Sequence, residues 1–152
     1  MRLLVLGTLA LAAALAGCGE CGPTVESRFD AQAVLLVEPS AANWTAARQT
    51  LAGLGFVDVT GSGLPVDMQR VNQTVLLQPT GPGDPQAGVR FEAQLDVGHT
   101  RGVGSAAEGE AYQHQQARWI DPILQATYRD FLARTGWNGT ALPEANASTY
   151  IC

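Results

Sequence analysis

Residues 98–105 are the part of the chain whose side-chain types and spacing best suit ligand binding. They read Gly-His-Thr-Arg-Gly-Val-Gly-Ser and lie between the pattern of a strand and the start of a predicted helix. Free backbone N–H groups at a helix N-terminus favour an anion, and an arginine adds positive charge. The candidate anion-binding residues are Thr100, Arg101, Gly102, Gly104 and Ser105. The alternative interpretation is a flexible connector whose glycines serve only backbone geometry.

Neither of the two common nucleotide-binding loops fits this segment. Residues 102–107 imitate the G-x-G-x-x-A spacing of the dinucleotide-binding loop. That loop requires a parallel strand soon after its helix, whereas a second helical pattern follows here. A P-loop requires a lysine before Ser105, and the sequence contains no lysine. A generic anion site is therefore the strongest ligand hypothesis for this segment.

Histidines and nucleophiles give no further catalytic signal. His99 and His114 are the only histidines, and their spacing from nearby acidic residues matches no known pattern of metal ligands. Solvated histidines are the simpler interpretation. No nucleophile motif such as G-x-S-x-G occurs. We therefore assign no catalytic residue, no metal and no cofactor, and we favour a protein that is not an enzyme.

The first 18 residues have the plan of a secretory signal. A short basic start precedes an apolar run at residues 3–16, which is too short to span a bilayer as a permanent helix. The run ends in Leu15-Ala16-Gly17-Cys18, which resembles the lipobox of bacterial lipoproteins. The resemblance implies cleavage before Cys18, a lipid on its thiol and a domain that faces the periplasm from the cell envelope. Gly19 at the next position favours the outer membrane. An ordinary signal peptide with a chance cysteine is the alternative.

The two other cysteines form an even pair once Cys18 is lipidated. Cys21 lies at the start of the mature chain and Cys152 is its last residue, and the periplasm is oxidising. A disulfide between them would close almost the whole domain and stabilise it by about 4–5 kcal/mol on the loop-entropy model. It requires the two chain ends to meet. Two free thiols are the alternative.

Size and charge limit the domain count and the class of partner. We divide the chain into a signal peptide at residues 1–17, a lipidated tether at 18–30 and a single globular domain at 31–152, which is large enough to form a core. The whole chain has 9 basic and 14 acidic residues, a net charge of −5. This balance argues against nucleic acid as a partner, because nucleic acid calls for a basic surface.

Hydrophobic periodicity predicts the secondary structure. The predicted strands are at residues 33–37, 56–60, 74–78 and 89–97, and the last alternates most clearly between apolar and polar residues. The predicted helices are at 41–54, 106–120 and 122–135, with one helix kinked at Pro122 as the alternative for the last two. Residues 61–72 and 79–85 are predicted loops. Residues 149–152 are a candidate edge strand.

These elements predict an α+β domain. We expect a mostly antiparallel sheet of about four strands with helices on one face, in the order β-α-β-β-β-α-α. A ferredoxin-like arrangement is one version of it. Trp44 and Trp119 lie on the apolar faces of predicted helices and are expected in the core, whereas Trp137 follows a helix end and, if exposed, would suit a protein contact.

The sequence thus predicts an anchored acidic domain with no catalytic motif. We expect a non-enzymatic envelope lipoprotein that binds another protein or acts as an accessory module, and an immunity or inhibitor lipoprotein is one form of this. The alternative is an anchored small-ligand binder or hydrolase that uses residues 98–105. A deep pocket joining His99 and Arg101 would favour the alternative, and a flat apolar patch around Trp137 would favour protein binding.

Overall fold

The computed structural model describes residues 24–101 and 106–151. Within these ranges the chain forms six strands and two helices, so the predicted α+β class is confirmed. The strands are β1 (Thr24–Leu35), β2 (Val57–Asp58), β3 (Val66–Arg70), β4 (Gln73–Pro79), β5 (Val89–Arg101) and β6 (Asn146–Ile151). The helices are α1 (Ala41–Gly53) and α2 (Ala106–Thr135).

The strands form one antiparallel sheet in the order β2-β3-β4-β5-β1-β6. Its centre is the long pair of β1 and β5, which runs from Leu35 opposite Val89 to Thr24 opposite Arg101. Residues of β5 alternate as predicted, with Phe91 buried and its neighbour Glu92 only partly covered. One face of the sheet therefore packs against the helices, and the other carries the polar side chains.

The core lies between the sheet and the two helices. Its largest fully buried side chains include Phe29 of β1, Phe91 of β5 and Phe131 of α2. The Phe91 ring lies 5.0 Å from the ring of Tyr128 and 5.2 Å from that of Phe131, both tilted. Such tilted aromatic pairs are favourable beyond the area that they bury. This cluster fixes α2 across the middle of the sheet.

Helix α1 follows the sequence prediction closely. Ser40 caps its N-terminus by accepting a hydrogen bond from the backbone N–H of Asn43 at 3.2 Å. Trp44, Ala47 and Leu51 are buried at helical spacing. The helix ends before Gly55, whose φ of +92° is a conformation that glycine adopts without a steric penalty.

Helix α2 is a single helix of 30 residues with Pro122 inside it. The separate helices at 106–120 and 122–135 are therefore wrong, and the single-helix alternative holds. Asp121 does not act as a cap, since its carboxylate accepts a hydrogen bond from the backbone N–H of Ala145 at 2.8 Å. The core side of α2 carries Ile120, Leu124, Tyr128 and Phe131. In the described ranges, no helix combines the length and apolarity needed to cross a membrane.

The number and order of strands differ from the prediction. β1 begins at Thr24, inside the predicted tether at residues 18–30, and its pairing with β5 shifts register between Ser27 and Arg28, where β5 contains the extra residue Val97. β3 lies within the predicted loop at 61–72. β6 extends the candidate edge strand back to Asn146 and lies at the sheet edge. About four strands in the order β-α-β-β-β-α-α is therefore wrong, and the observed order is β-α-β-β-β-β-α-β.

The hairpin of β2 and β3 lies at one edge of the sheet and precedes β4. Without this hairpin, the remaining elements follow the chain order β-α-β-β-α-β. Their strands then lie side by side in the order β6-β1-β5-β4. Each of their pairings is antiparallel.

The loop between β4 and β5 is held close to β1. The guanidinium of Arg90 donates two hydrogen bonds to the carboxylate of Asp84 in this loop. Nε donates to Oδ1 at 3.1 Å, and Nη2 donates to Oδ2 at 2.5 Å. The loop ends at Gly88, whose φ is +153°. A Cβ atom there would lie 2.2 Å from the backbone oxygen of Leu35. Only glycine therefore allows this approach to β1.

We expect Gly88→Ala to lower the free energy of unfolding by about 2–3 kcal/mol, because the new methyl group must displace backbone atoms of β1. Gly81→Ala is the matched control in the same loop, since a Cβ atom there would meet nothing within 4 Å. Urea unfolding of both variants measures the difference. Equal stability of the two variants would contradict this account of the loop.

Candidate functional site

The predicted anion site falls largely outside the described residues. Gly102, Gly104 and Ser105 are not described, and neither are Cys18, Cys21 and Cys152. Thr100 and Arg101 lie in β5, where their backbones pair with Val25 and Thr24 of β1. Residues 98–101 therefore continue a strand rather than starting a loop.

The three tryptophans have three different environments. Trp44 is buried, as predicted. Trp137 is half-buried and packs edge-on against Phe131, with ring centres 5.7 Å apart. Trp119 is 72% exposed, so its predicted place in the core is wrong. The neighbouring Ile120 faces the core instead, and successive side chains of a helix point about 100° apart.

Trp119 begins an exposed apolar stripe on one flank of α2. Ile123, which is 43% exposed, and Ala126 follow it at spacings of four and three residues, so all three lie on the same side of the helix. Pro122 and Ile123 also line a groove of about 300 Å³ between α2, the end of α1 and β3. The groove is lined by Leu54, Arg70, Pro122, Ile123, Ala126, Thr127 and Asp130. We call this site the α2 groove.

Arg70 is the cation of the α2 groove, and three contacts hold its guanidinium in place. Nη1 donates to the backbone oxygen of Leu54 at 2.6 Å, and Nη2 donates to Oε1 of Gln73 at 2.5 Å. The guanidinium carbon also lies 4.6 Å from the centre of the Phe56 ring, in a cation–π contact. Among the described residues, no carboxylate oxygen lies within 4.0 Å of this guanidinium.

A buried polar pair connects Arg70 to α2. Gln73 and Thr127 are each only 5% exposed, and the amide nitrogen of Gln73 lies 3.3 Å from Oγ1 of Thr127. The Thr127 hydroxyl donates in turn to the backbone oxygen of Ile123 at 3.2 Å. Buried polar groups are stable only when they are hydrogen-bonded, so these bonds fix the floor of the α2 groove.

The α2 groove can bind an acidic group in apolar surroundings. A guanidinium offers five N–H donors in a rigid fork that suits a carboxylate, and only two of those of Arg70 are used in the bonds described above. The walls from Leu54, Pro122 and Ile123 offer apolar contact. The Thr127 hydroxyl of the lining already donates to the backbone oxygen of Ile123, and the one carboxylate of the lining is that of Asp130.

A second groove of about 360 Å³ lies on the other side of the contact between α1 and α2. Its walls include Thr50 and Gly53 of α1, together with Arg134 and Trp137. Arg134 closes one end, because its Nη1 donates to the backbone oxygen of Gly53 at 3.3 Å. Trp137 thus combines core packing with a place in a shallow groove, rather than forming a flat exposed patch.

The open face of the sheet carries charged and polar side chains. On β1, Asp30 lies opposite Gln94 of β5, beside Glu92. Burial and the Glu92 carboxylate raise the pKa of Asp30, while Arg28 acts in the opposite sense. Within residues 24–101 and 106–151, no group of three or more His, Cys, Asp or Glu side chains is placed to hold a metal ion.

Comparison of the chain with protein-family models, with curated proteins and with solved structures finds no match. Function therefore has to be inferred from the surfaces described above. Arg70 was not among the predicted site residues, because residues 61–72 were predicted to be a loop and Trp119 was predicted to face the core. Trp119 lies instead on the exposed side of α2. The pattern of Ile120, Leu124, Tyr128 and Phe131 is the signal that could have located the core side correctly.

We expect Thr127→Val to lower the free energy of unfolding by about 1–3 kcal/mol, because it leaves the buried amide of Gln73 without its acceptor. Thr45→Val is the matched control, since Thr45 is an exposed helical threonine that bonds only to its own helix. Thermal or urea unfolding measures both. A Thr127→Val variant as stable as the control would contradict the role of this pair.

The effect of replacing Asp30 on the melting temperature should depend on pH. The pKa of Asp30 is raised above the ordinary value of an aspartate, so its ionisation weakens the fold as the pH rises through the folded-state pKa. Asp30→Asn should therefore raise the melting temperature at about pH 7, and this gain should vanish at about pH 3. A gain that persists at the lower pH would contradict this assignment.

Asp84→Asn should behave in the opposite way. Hydrogen bonds from Arg90 and from the N–H of Gly81 lower the pKa of Asp84, so its contribution is present above the unfolded-state pKa and lost as the pH falls through the folded-state value. The variant should melt at a lower temperature than the wild type at about pH 7, with a smaller difference at about pH 3. The same melting series measures both carboxylates.

Proposed function

We propose that this protein is a lipid-anchored lipoprotein of the bacterial cell envelope whose domain binds another protein and catalyses no reaction. The lipobox-like residues Leu15-Ala16-Gly17-Cys18 support the anchor. The observation that carries the binding function is Trp119, which is 72% exposed beside the α2 groove. An immunity or inhibitor lipoprotein in the periplasm is one form of this function.

The composition of the α2 groove, together with Trp119 one helical turn before Ile123, favours a protein partner over a small ligand. Tryptophan and arginine are enriched among the residues that dominate the energy of protein interfaces. Exposed apolar stripes next to polar groups mark interaction sites, because apolar surface gains free energy when it leaves water. A volume of about 300 Å³ is at the lower limit for pockets that enclose a ligand.

We further propose that the domain is ferredoxin-like, with the β2–β3 hairpin inserted before β4. The other elements follow the β-α-β-β-α-β order of that arrangement. The two strand–helix–strand units then place both helices over one face of the sheet. In this proposal the inserted hairpin has a functional consequence, because β3 supplies Arg70 to the α2 groove.

The disulfide between Cys21 and Cys152 remains part of the proposal. It is supported by the pairing of β1 with β6, in which Val25 lies opposite Ile151. The two strands thus bring the chain to within a few residues of each cysteine at neighbouring positions of the sheet. A disulfide requires Cα atoms about 4.4–6.8 Å apart, a distance that adjacent strands provide.

The anchor and the disulfide are tested on one sample of the protein purified from its own envelope. We expect the mature N-terminal peptide to begin at Cys18 with covalent fatty-acyl chains, and Cys18→Ser to abolish both the lipid and the membrane fraction. Without reduction, mass spectrometry should find Cys21 and Cys152 in one linked peptide. An unacylated N-terminus would contradict the anchor, and two free thiols would contradict the disulfide.

Partner binding is tested by chemical crosslinking of the acylated protein in its envelope. We expect a stoichiometric protein partner, and we expect Trp119→Ser to reduce its capture at least about tenfold, as for an interface hot spot. His114→Ser is the matched control, since His114 is exposed on α2 but five residues away and on another side of the helix. Capture that is absent from the wild type, or equal in both variants, would contradict the proposal.

A further inference from the structure

We propose that the α2 groove binds a helical segment of the partner protein, with a carboxylate of that segment paired to Arg70 and its apolar side chains packed on Trp119 and Ile123. This inference rests on the proposed protein-binding function and specifies the chemistry of the partner. It is carried by the fixed geometry of Arg70, the spacing of the apolar stripe and the local balance of charge.

Arg70 is prepared for a carboxylate before any partner arrives. Its contacts with Leu54, Gln73 and Phe56 hold the guanidinium in one position. A side chain that is already ordered loses little conformational entropy on binding, so more of the interaction energy appears as affinity. Charge-assisted bonds from a guanidinium to a carboxylate are also stronger than bonds between neutral groups.

The apolar stripe has the spacing that a second helix would match. Trp119, Ile123 and Ala126 recur at four and three residues along α2. A helix that lies in a groove uses the same spacing for its own anchoring side chains. Ile123 and Ala126 line the groove, whereas Trp119 lies one helical turn before Ile123 and outside the lining. The stripe therefore extends along α2 beyond the groove.

The charge around the groove favours an acidic segment. The whole chain carries a net charge of −5. In the lining of the α2 groove, Arg70 is the one cation and Asp130 the one anion, and Nε of Arg129 lies 3.5 Å from Oδ1 of Asp130. The other acidic residue in the C-terminal half of α2, Asp121, already accepts a hydrogen bond from the backbone N–H of Ala145. The charge of Asp130 is thus partly balanced by Arg129, and the fixed guanidinium of Arg70 is left to attract a negative group.

The recognition chemistry can be tested with a small probe and a methyl reporter. The sequence has only three isoleucines, Ile120, Ile123 and Ile151, so labelling of isoleucine methyl groups gives three NMR signals. We would titrate the acylated protein in zwitterionic detergent micelles with 4-methylpentanoate, which joins a leucine-like group to a carboxylate. Its neutral amide, 4-methylpentanamide, is the matched control.

We expect 4-methylpentanoate to shift the Ile123 signal and to leave that of Ile151 unchanged, with binding at least about tenfold tighter than that of the amide. Arg70→Gln should remove this preference. Asp130→Asn removes an exposed like charge from the groove and should tighten binding by about twofold without affecting the fold. Equal binding of acid and amide, or an Asp130→Asn variant that binds more weakly, would overturn the inference.

The class of partner can be tested by photo-crosslinking. A benzoylphenylalanine at position 123 of the acylated protein, activated in its own envelope, should label a protein segment with an acidic residue flanked by apolar residues at helical spacing. Arg70→Glu should abolish the crosslink, and a change of the partner's acidic residue to arginine should restore it. A crosslink to a second copy of this chain or to lipid would overturn the inference.

The same experiment separates failure of this inference from failure of the proposed function. If the partner crosslinks from another surface and not from position 123, protein binding stands and the α2 groove is not its site. If a partner segment without an acidic residue occupies the groove, the charge pairing with Arg70 is wrong. If no protein is captured by the wild type at all, both proposals fail.

Discussion

The packing of α2 across the central strands is the interaction on which the rest of the structure depends. Phe91 of β5 contacts both Tyr128 and Phe131, and these rings lie at the middle of the sheet. An antiparallel sheet with one apolar face is stable only when that face is covered. Because these contacts fix the rotation of α2 about its axis, they also decide which residues of α2 remain at the surface. The exposure of Trp119 is thus a direct consequence of the burial of its neighbour Ile120.

Elements with unbroken local periodicity were predicted well. β5 alternates regularly from Val89 to Leu95, and α1 has a clear cap, a regular apolar side and a glycine after its end. β1 was predicted too short because polar residues such as Glu26, Ser27 and Arg28 dominate its first part, and only its last part is a continuous apolar run. β3 is only five residues long, and its charged and polar members obscure the two buried positions, Val66 and Met68.

The candidate site was less predictable because its parts come from distant positions in the chain. Arg70 is held by Leu54, which precedes it by 16 residues, and the Gln73 amide reaches Thr127, 54 residues away. No spacing rule in a single sequence connects such positions. Trp119 was misplaced for a different reason. It is adjacent to Ile120, both residues are apolar, and only the spacing of apolar residues over several turns shows which of the two faces the core. Trp137, proposed as a contact residue if exposed, is half-buried against Phe131, and the exposed tryptophan is Trp119.

The start of β1 at Thr24 sets a physical limit on where this domain can work. Six residues separate Thr24 from Cys18, and a fully extended chain of that length reaches no more than about 22 Å. With a lipid on Cys18, the tether between the membrane and the domain would be shorter than the diameter of the domain. Such a short tether would confine the domain to a thin layer above the bilayer. Diffusion there is two-dimensional, and the local concentration of any membrane-bound partner is high. If the proposed partner is bound to the same membrane, a modest affinity in the α2 groove would then be sufficient for high occupancy.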